Sequence, residues 1–177
     1  MTGAAHHQSA SGSVMTHALQ RFAAGITVLT FDAPGGAAGV TVSTLTPVPG
    51  TCPMVSVALR RASKSLSELL TAEAFTANAL AADQASLAQH FARRRRSRET
   101  SQLPPDTWAQ AAGIPRLRQA TSWLECRVDQ TASLRDHVLV IATVTAGIPG
   151  SGPPLIGFTG ALHADLSGTT TARGSHP

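Results

Sequence analysis

Between Gly39 and Val55 the chain reads Gly-Val-Thr-Val-Ser-Thr-Leu-Thr-Pro-Val-Pro-Gly-Thr-Cys-Pro-Met-Val, a pattern of two β-strands joined by a connection rich in hydroxyls and prolines. Val40, Val42 and Leu45 are expected to pack on one side. Thr41, Ser43, Thr44 and Thr46 then present hydroxyls and backbone amides elsewhere, an arrangement that suits an anionic or multiply hydrogen-bonding ligand lying along a strand end. Threonine also has good β-propensity, so a half-buried strand accounts for the same residues without a ligand.

Strand signals recur on both sides of this stretch. Ile26–Phe31 is a β-branched run that stops at Asp32-Ala33-Pro34-Gly35-Gly36, and Met54–Leu59 alternates Val55, Val57 and Leu59 against Ser56 and Ala58. Phe75–Ala81 reads as a buried strand. Ser122–Thr131 and His137–Ala146 read as long antiparallel strands with a turn near Ser133–Asp136, and Pro154–His163 as a last strand. Helical spacing appears at Thr16–Ala24, with Thr16 as N-cap and Gly25 as stop, at the segment through Leu70, and at Asp83–Ala92, where Leu87, Ala88 and Phe91 share a face. Short strands with two or three helices point to a mainly β, closed or partly closed Greek-key barrel of about six strands, not a doubly wound sheet.

At 177 residues the chain is expected to form one domain over 15–165, flanked by a disordered arm (1–14) and a flexible tail (166–177). Cys52 and Cys126 are too few for a disulfide framework, and both sit in apolar, strand-like contexts. With no signal peptide and no membrane-length apolar run, a soluble cytoplasmic protein is expected. The net charge of +4 arises from few acids and from a local run, Arg93–Arg96 with Arg98, that holds five of the fourteen cations. That run reads as a phosphate-attracting rim, or as a solvated helix end and loop. Without aromatic interleaving or a nucleic-acid motif it does not make a nucleic-acid binder. His6 and His7 lack a third ligand at useful spacing, so no metal site is expected.

Chemistry concentrates in Arg60-Arg61-Ala62-Ser63-Lys64-Ser65, which opens a helix. Free amides at a helix start, the Ser63 and Ser65 hydroxyls and the charges of Arg61 and Lys64 are the ingredients of a phosphate site. Ser65 followed by Glu68 is also a capping-box pattern. Asn78, the odd polar residue in a buried strand, needs partners: the backbone of neighbouring strands, or a ligand ring edge. Trp108 is either a ligand-facing aromatic or a loop anchor in the core. No carboxylate pair and no Gly-x-Gly-x-x-Gly fingerprint is present, which argues against acid/base hydrolysis and against a dinucleotide fold.

Six segments in register, Ala18–Thr30 (Arg21-Phe22-Ala23-Ala24-Gly25-Ile26-Thr27-Val28), Gly39–Thr44, Ala62–Ser65, Phe75–Leu80, Trp123–Cys126 and Asp136–Val140, resemble the small flavin reductase family. Its members are FMN-binding split barrels that supply reduced flavin to two-component monooxygenases. The resemblance implies an NAD(P)H:flavin oxidoreductase, with FMN or FAD as flavin and NADH or NADPH as donor, working as a homodimer beside a separate oxygenase. It implies cofactor contacts from Thr41, Val42, Ser43, Thr44, Arg61, Ala62, Ser63, Lys64, Ser65 and Asn78. His137, in Arg135-Asp136-His137, would meet the nicotinamide dinucleotide, or else form a structural pair with Asp136. The chain departs from the pattern at Leu45, where an aromatic is usual, at Pro47 and Pro49, at Arg135 in place of glycine, and at Gly157 and Leu162 in the Tyr-x-x-Gly-x-aromatic segment. Ring-stacking surface is thereby removed, which leaves open a non-catalytic split-barrel module that holds flavin or another heteroaromatic ligand.

Overall fold

The computed structural model describes residues 12–92, 103–109 and 113–164. The expectations for residues 1–11, for the arginine run and for the tail from 165 onward lie outside the described residues.

Seven strands form one antiparallel sheet: β2 (Thr27–Ala33), β3 (Gly36–Val42), β4 (Thr46–Val48), β5 (Met54–Arg60), β6 (Ala74–Ala79), β9 (Ser122–Leu134) and β10 (His137–Pro149). Their order is β3-β2-β6-β9-β10-β5-β4. β3 and β4 occupy opposite edges, yet only residues 43–45 join them. Laid flat, those edges would stand about 29 Å apart at six strand spacings, whereas the connection reaches at most about 14 Å. The sheet therefore curls into a barrel with a gap between β3 and β4, which is the split of the expected split barrel.

Alternation decides what fills it. Val55, Val57 and Leu59 of β5 and Val138, Val140 and Ala142 of β10 point inward with Leu29, Phe31, Phe75 and Cys126. Helix α2 (Lys64–Ala72) adds Leu66 and Leu69 to this core. β2 is buried on both faces, because Val28 on its outer side packs with Phe91 and Ala88 of α3 (Ala85–Ala92) and with Leu117. β7 (Trp108–Ala109) and β8 (Arg116–Leu117) form a small outer ribbon. Trp108 takes the anchoring role, its ring 6.4 Å from that of Phe91.

Several local expectations change. The first helix, α1, runs Gly12–Leu19, so its start lies inside the stretch expected as arm, and Thr16 Oγ1 donates to the Gly12 carbonyl within it instead of capping it. β1 (Ala24–Gly25) follows where the helix was expected to continue. Asp83 falls in a 3-10 turn, Ala82–Gln84, ahead of α3. The expected last strand is a hairpin, β11 (Ile156–Phe158) and β12 (Ala161–His163), which pairs with β1 in a separate sheet. The capping register also moves. Ser63 is the N-cap of α2 and accepts from Leu66 N–H at 3.2 Å, while Glu68 pairs with Lys64 at 2.9 Å.

The cysteines differ in setting, contrary to the shared apolar context expected: Cys126 is buried in β9 and Cys52 is exposed. Burial, helped by the Glu125 charge, pushes the Cys126 thiol up to about 12. The thiolate is the reactive form. In the native protein at pH 8 a chromogenic disulfide reagent is therefore expected to titrate one thiol per chain quickly and the second only after unfolding. Comparable rates for both would contradict this assignment.

Candidate functional site

Pairing of β5 with β10 sets Arg60 opposite His137 and Ala58 opposite Leu139. Thr44 Oγ1 donates to the Ala58 carbonyl at 2.9 Å, drawing the exit of β3 across the split toward β5. Thr41 Oγ1 donates to the Ala88 carbonyl of α3 at 2.7 Å. Between these elements lies a cavity of about 360 Å³, walled by Val40–Thr44, Ala58–Arg60, Ser63, Ser65, Phe91, Ala92 and His137.

Thr41, Val42, Ser43, Thr44, Ser63, Ser65 and His137, predicted from three separate segments, thus meet at one place. Arg61, Ala62, Lys64 and Asn78 do not line it. The Arg61 guanidinium braces the β9–β10 hairpin, Nε donating to the Arg135 carbonyl at 3.2 Å and a terminal nitrogen to Ser133 Oγ at 3.4 Å. Ala62 is exposed in the turn before α2. Lys64 is 79% exposed and held by Glu68.

Asn78 is a correction. It is fully buried, its amide nitrogen 3.0 Å from the Val28 carbonyl and 3.2 Å from Thr30 Oγ1, and its Oδ1 accepts from Leu117 N–H at 2.8 Å. A side chain committed to two neighbouring strands, β2 and β8, cannot reach a ligand ring edge.

His137 Nδ1 lies 2.9 Å from Asp136 Oδ1, which directs Nε2 away from the carboxylate. The His137 hydrogen bond is the main reason the Asp136 carboxyl sits below its usual value; its own backbone, the His137 charge and, more weakly, Arg60 add to it. Asp136 is 81% exposed. Loss of His137 therefore leaves no buried unpaired carboxylate, whose burial would be costly, so the pair is not a source of large stability. Any contribution of this pair to stability is present above the ordinary carboxylate range and fades as pH falls through the lowered value; the exposure of Asp136 keeps it small. Arg135 adopts φ +25°, so the hairpin turn uses a positive φ despite the absence of glycine.

Sequence reasoning missed Arg60, Phe91 and Ala92. Phe91 reads equally as helix core, and the register that brings Arg60 to His137 has no local signature. A larger cleft of about 580 Å³ lies near the start of α3, between Ala81–Asp83, Trp123 and Ile148–Pro153, but holds none of the predicted residues.

Residues 19–164 match the model of the flavin reductase like domain. The chain belongs to that family. This flavin reductase-like chain is 36% identical over 129 residues to an NADH:FMN oxidoreductase of Rhodococcus qingshengii, a match spanning 72% of the chain and 66% of the relative. It is 33% identical over 151 residues to the NADH-dependent flavin reductase StyB of Pseudomonas fluorescens, spanning 82% and 85%. Among solved structures it superposes on the styrene monooxygenase flavin reductase SMOB of Pseudomonas putida S12 with a TM-score of 0.75 at 30% identity, covering 84% of this chain and 95% of that one.

Proposed function

We propose that the protein is an NAD(P)H-dependent flavin reductase that reduces FMN or FAD and releases the reduced flavin to a separate monooxygenase. The carrying observation is the convergence of the Thr41–Thr44 strand exit, the Ser63 and Ser65 helix start and His137 on one cavity beside the barrel split. Relatives named as NADH:FMN oxidoreductase, as StyB and as the reductase component of a nitrophenol monooxygenase support the same reading.

The residues present fit a flavin phosphate better than they fit its ring. Two serine hydroxyls, the first-turn amides of a nine-residue helix and a nearby guanidinium suit a phosphate, and the cavity lies within the usual range for small-molecule sites, about 300–1,000 Å³. Phe91 and the strand exit supply a wall, but Leu45, Pro47 and Pro49 provide no stacking ring. When bound, flavin and nicotinamide carry the reactive atoms between which hydride passes. The protein's part is to bind, align and exclude water. Thr41 and Thr44, their hydroxyl hydrogens engaged with α3 and β5, fix the shape of the strand exit, while Ser43 and Ser63 offer hydrogen bonds to the ligand. His137, oriented through Nδ1 by Asp136, presents Nε2 to the donor side.

Anaerobic mixing with NADH and free FMN tests this. Loss of NADH absorbance with bleaching of the flavin is expected; flavin binding without NADH consumption would favour a non-catalytic binding module, the reading that the missing stacking residues support. The homodimer belongs to the same proposal. The Gln20 carbonyl accepts from Thr159 N–H and Arg21 lies 5.0 Å over the Phe158 ring, so α1 is anchored on the hairpin. Yet Val14, Met15, Leu19 and Phe22 stay exposed, Phe22 at 78%, as a face for a second copy. Sedimentation at micromolar concentration should give twice the chain mass. No described helix is long and apolar enough to cross a membrane, and we place the protein in the cytoplasm.

A further inference from the structure

We infer that Arg60, not Arg61 or Lys64, is the cation that recognises the flavin phosphate. This rests on the flavin reductase reading of the same cavity and adds to it the residue that discriminates phosphorylated flavins from riboflavin. Three cations flank the start of α2, and the structure distinguishes them by what each already holds. Arg61 is spent on the Arg135 carbonyl and Ser133. Lys64 is mostly exposed and engaged with Glu68 at 2.9 Å. Arg60 alone of the three lines the cavity, with Ser63 and Ser65. Among the described residues its guanidinium makes no hydrogen bond or ion pair, only a weaker pull on the exposed Asp136 carboxyl.

The placement follows from strand geometry. In β5 the inward positions are Val55, Val57 and Leu59, so Arg60, the last residue, shares the outward face with Ala58 and lies opposite His137. Ser63 N–H donates to the Arg60 carbonyl at 3.0 Å, which holds the N-cap of α2 against the strand end. Arg60, the cap residue Ser63 and the positive end of α2 thus border one cavity, and a forked guanidinium matches two phosphate oxygens where an ammonium offers only a point charge.

The test compares FMN with riboflavin, which differ in the phosphate alone. Affinities for both are measured by quenching of flavin fluorescence for the native protein, R60Q, R60K and K64Q, with a melting curve for each. R60Q should weaken FMN at least about tenfold and riboflavin less than about twofold, bringing the two ligands together. R60K should keep most of the FMN preference, and K64Q should leave both affinities within about threefold. Equal weakening of FMN and riboflavin in R60Q, or an FMN-selective loss in K64Q with none in R60Q, would overturn the assignment while leaving the flavin site in place. Native protein that binds neither ligand would remove the site reading itself. Because Arg60 makes no side-chain hydrogen bond, R60Q should fold; should it not, R60M is read by the same criteria, an FMN-selective loss supporting the contact and unchanged or equally weakened affinities for FMN and riboflavin overturning it.

Discussion

Asn78→Leu should lower stability by about 3 kcal/mol, the largest single loss expected from any residue proposed for the site. Its amide ties three segments together: nitrogen to the Val28 carbonyl and Thr30 Oγ1 on β2, oxygen to Leu117 N–H on β8. Leucine has a similar shape but leaves at least the buried Leu117 N–H and the Val28 carbonyl without this partner, at about 1–3 kcal/mol for each group fully stranded. Thr30 Oγ1 donates to the Pro115 carbonyl, so part of the ribbon's attachment survives. For a domain of this size the melting temperature should fall by roughly 6–12 °C. Flavin affinity per folded molecule should stay within about twofold, because the side chain is fully buried outside the cavity. A flavin-selective loss with unchanged melting would restore Asn78 to the ligand shell.

His137→Ala should act the other way round. The ring lines the cavity at the head of β10, and Asp136 fixes its Nδ1 side, so Nε2 is the atom free to meet the donor. Losing one hydrogen bond to a charged or strongly polar ligand group costs about 1.5–3 kcal/mol, or about 10- to 150-fold in kcat/KM for the nicotinamide substrate. The melting temperature should stay within about 3 °C, since an exposed pair contributes little. Single-turnover flavin reduction under anaerobic conditions, beside a melting curve, reads both quantities. Normal reduction kinetics per folded molecule would take His137 off the donor side.

The Asn78 and His137 outcomes show where reading the chain by itself reaches its limit. That Asn78 needs partners was legible, because a polar amide in an apolar strand cannot stay unpaired. Which partner it has depends on β8, brought over from 39 residues away. The Asp136–His137 pair was visible as neighbours in sequence, but its exposure was not, and exposure takes away the instability that a buried structural pair would give on mutation. Lys64 and Glu68 illustrate the same point at short range. Their i,i+4 spacing competes with the capping register, and a shift of the helix start from Ser65 to Ser63 decided for the ion pair.

The sequence by itself determined the mainly β class, the number of long strands in the later half and the membership of most cavity residues. These depend on local alternation, turn residues and motif order, all written in neighbouring positions. Only the tertiary structure decided which strands flank the split and which cation lines the cavity. Closing the barrel required that three residues carry the chain from one edge strand to the other, and that constraint exists only once the strand order is known. Arg60 was selected in the same way. Its sequence neighbours Arg61 and Lys64 carry equal charge, and what separates them is which charges the fold has already satisfied and which side of β5 faces His137.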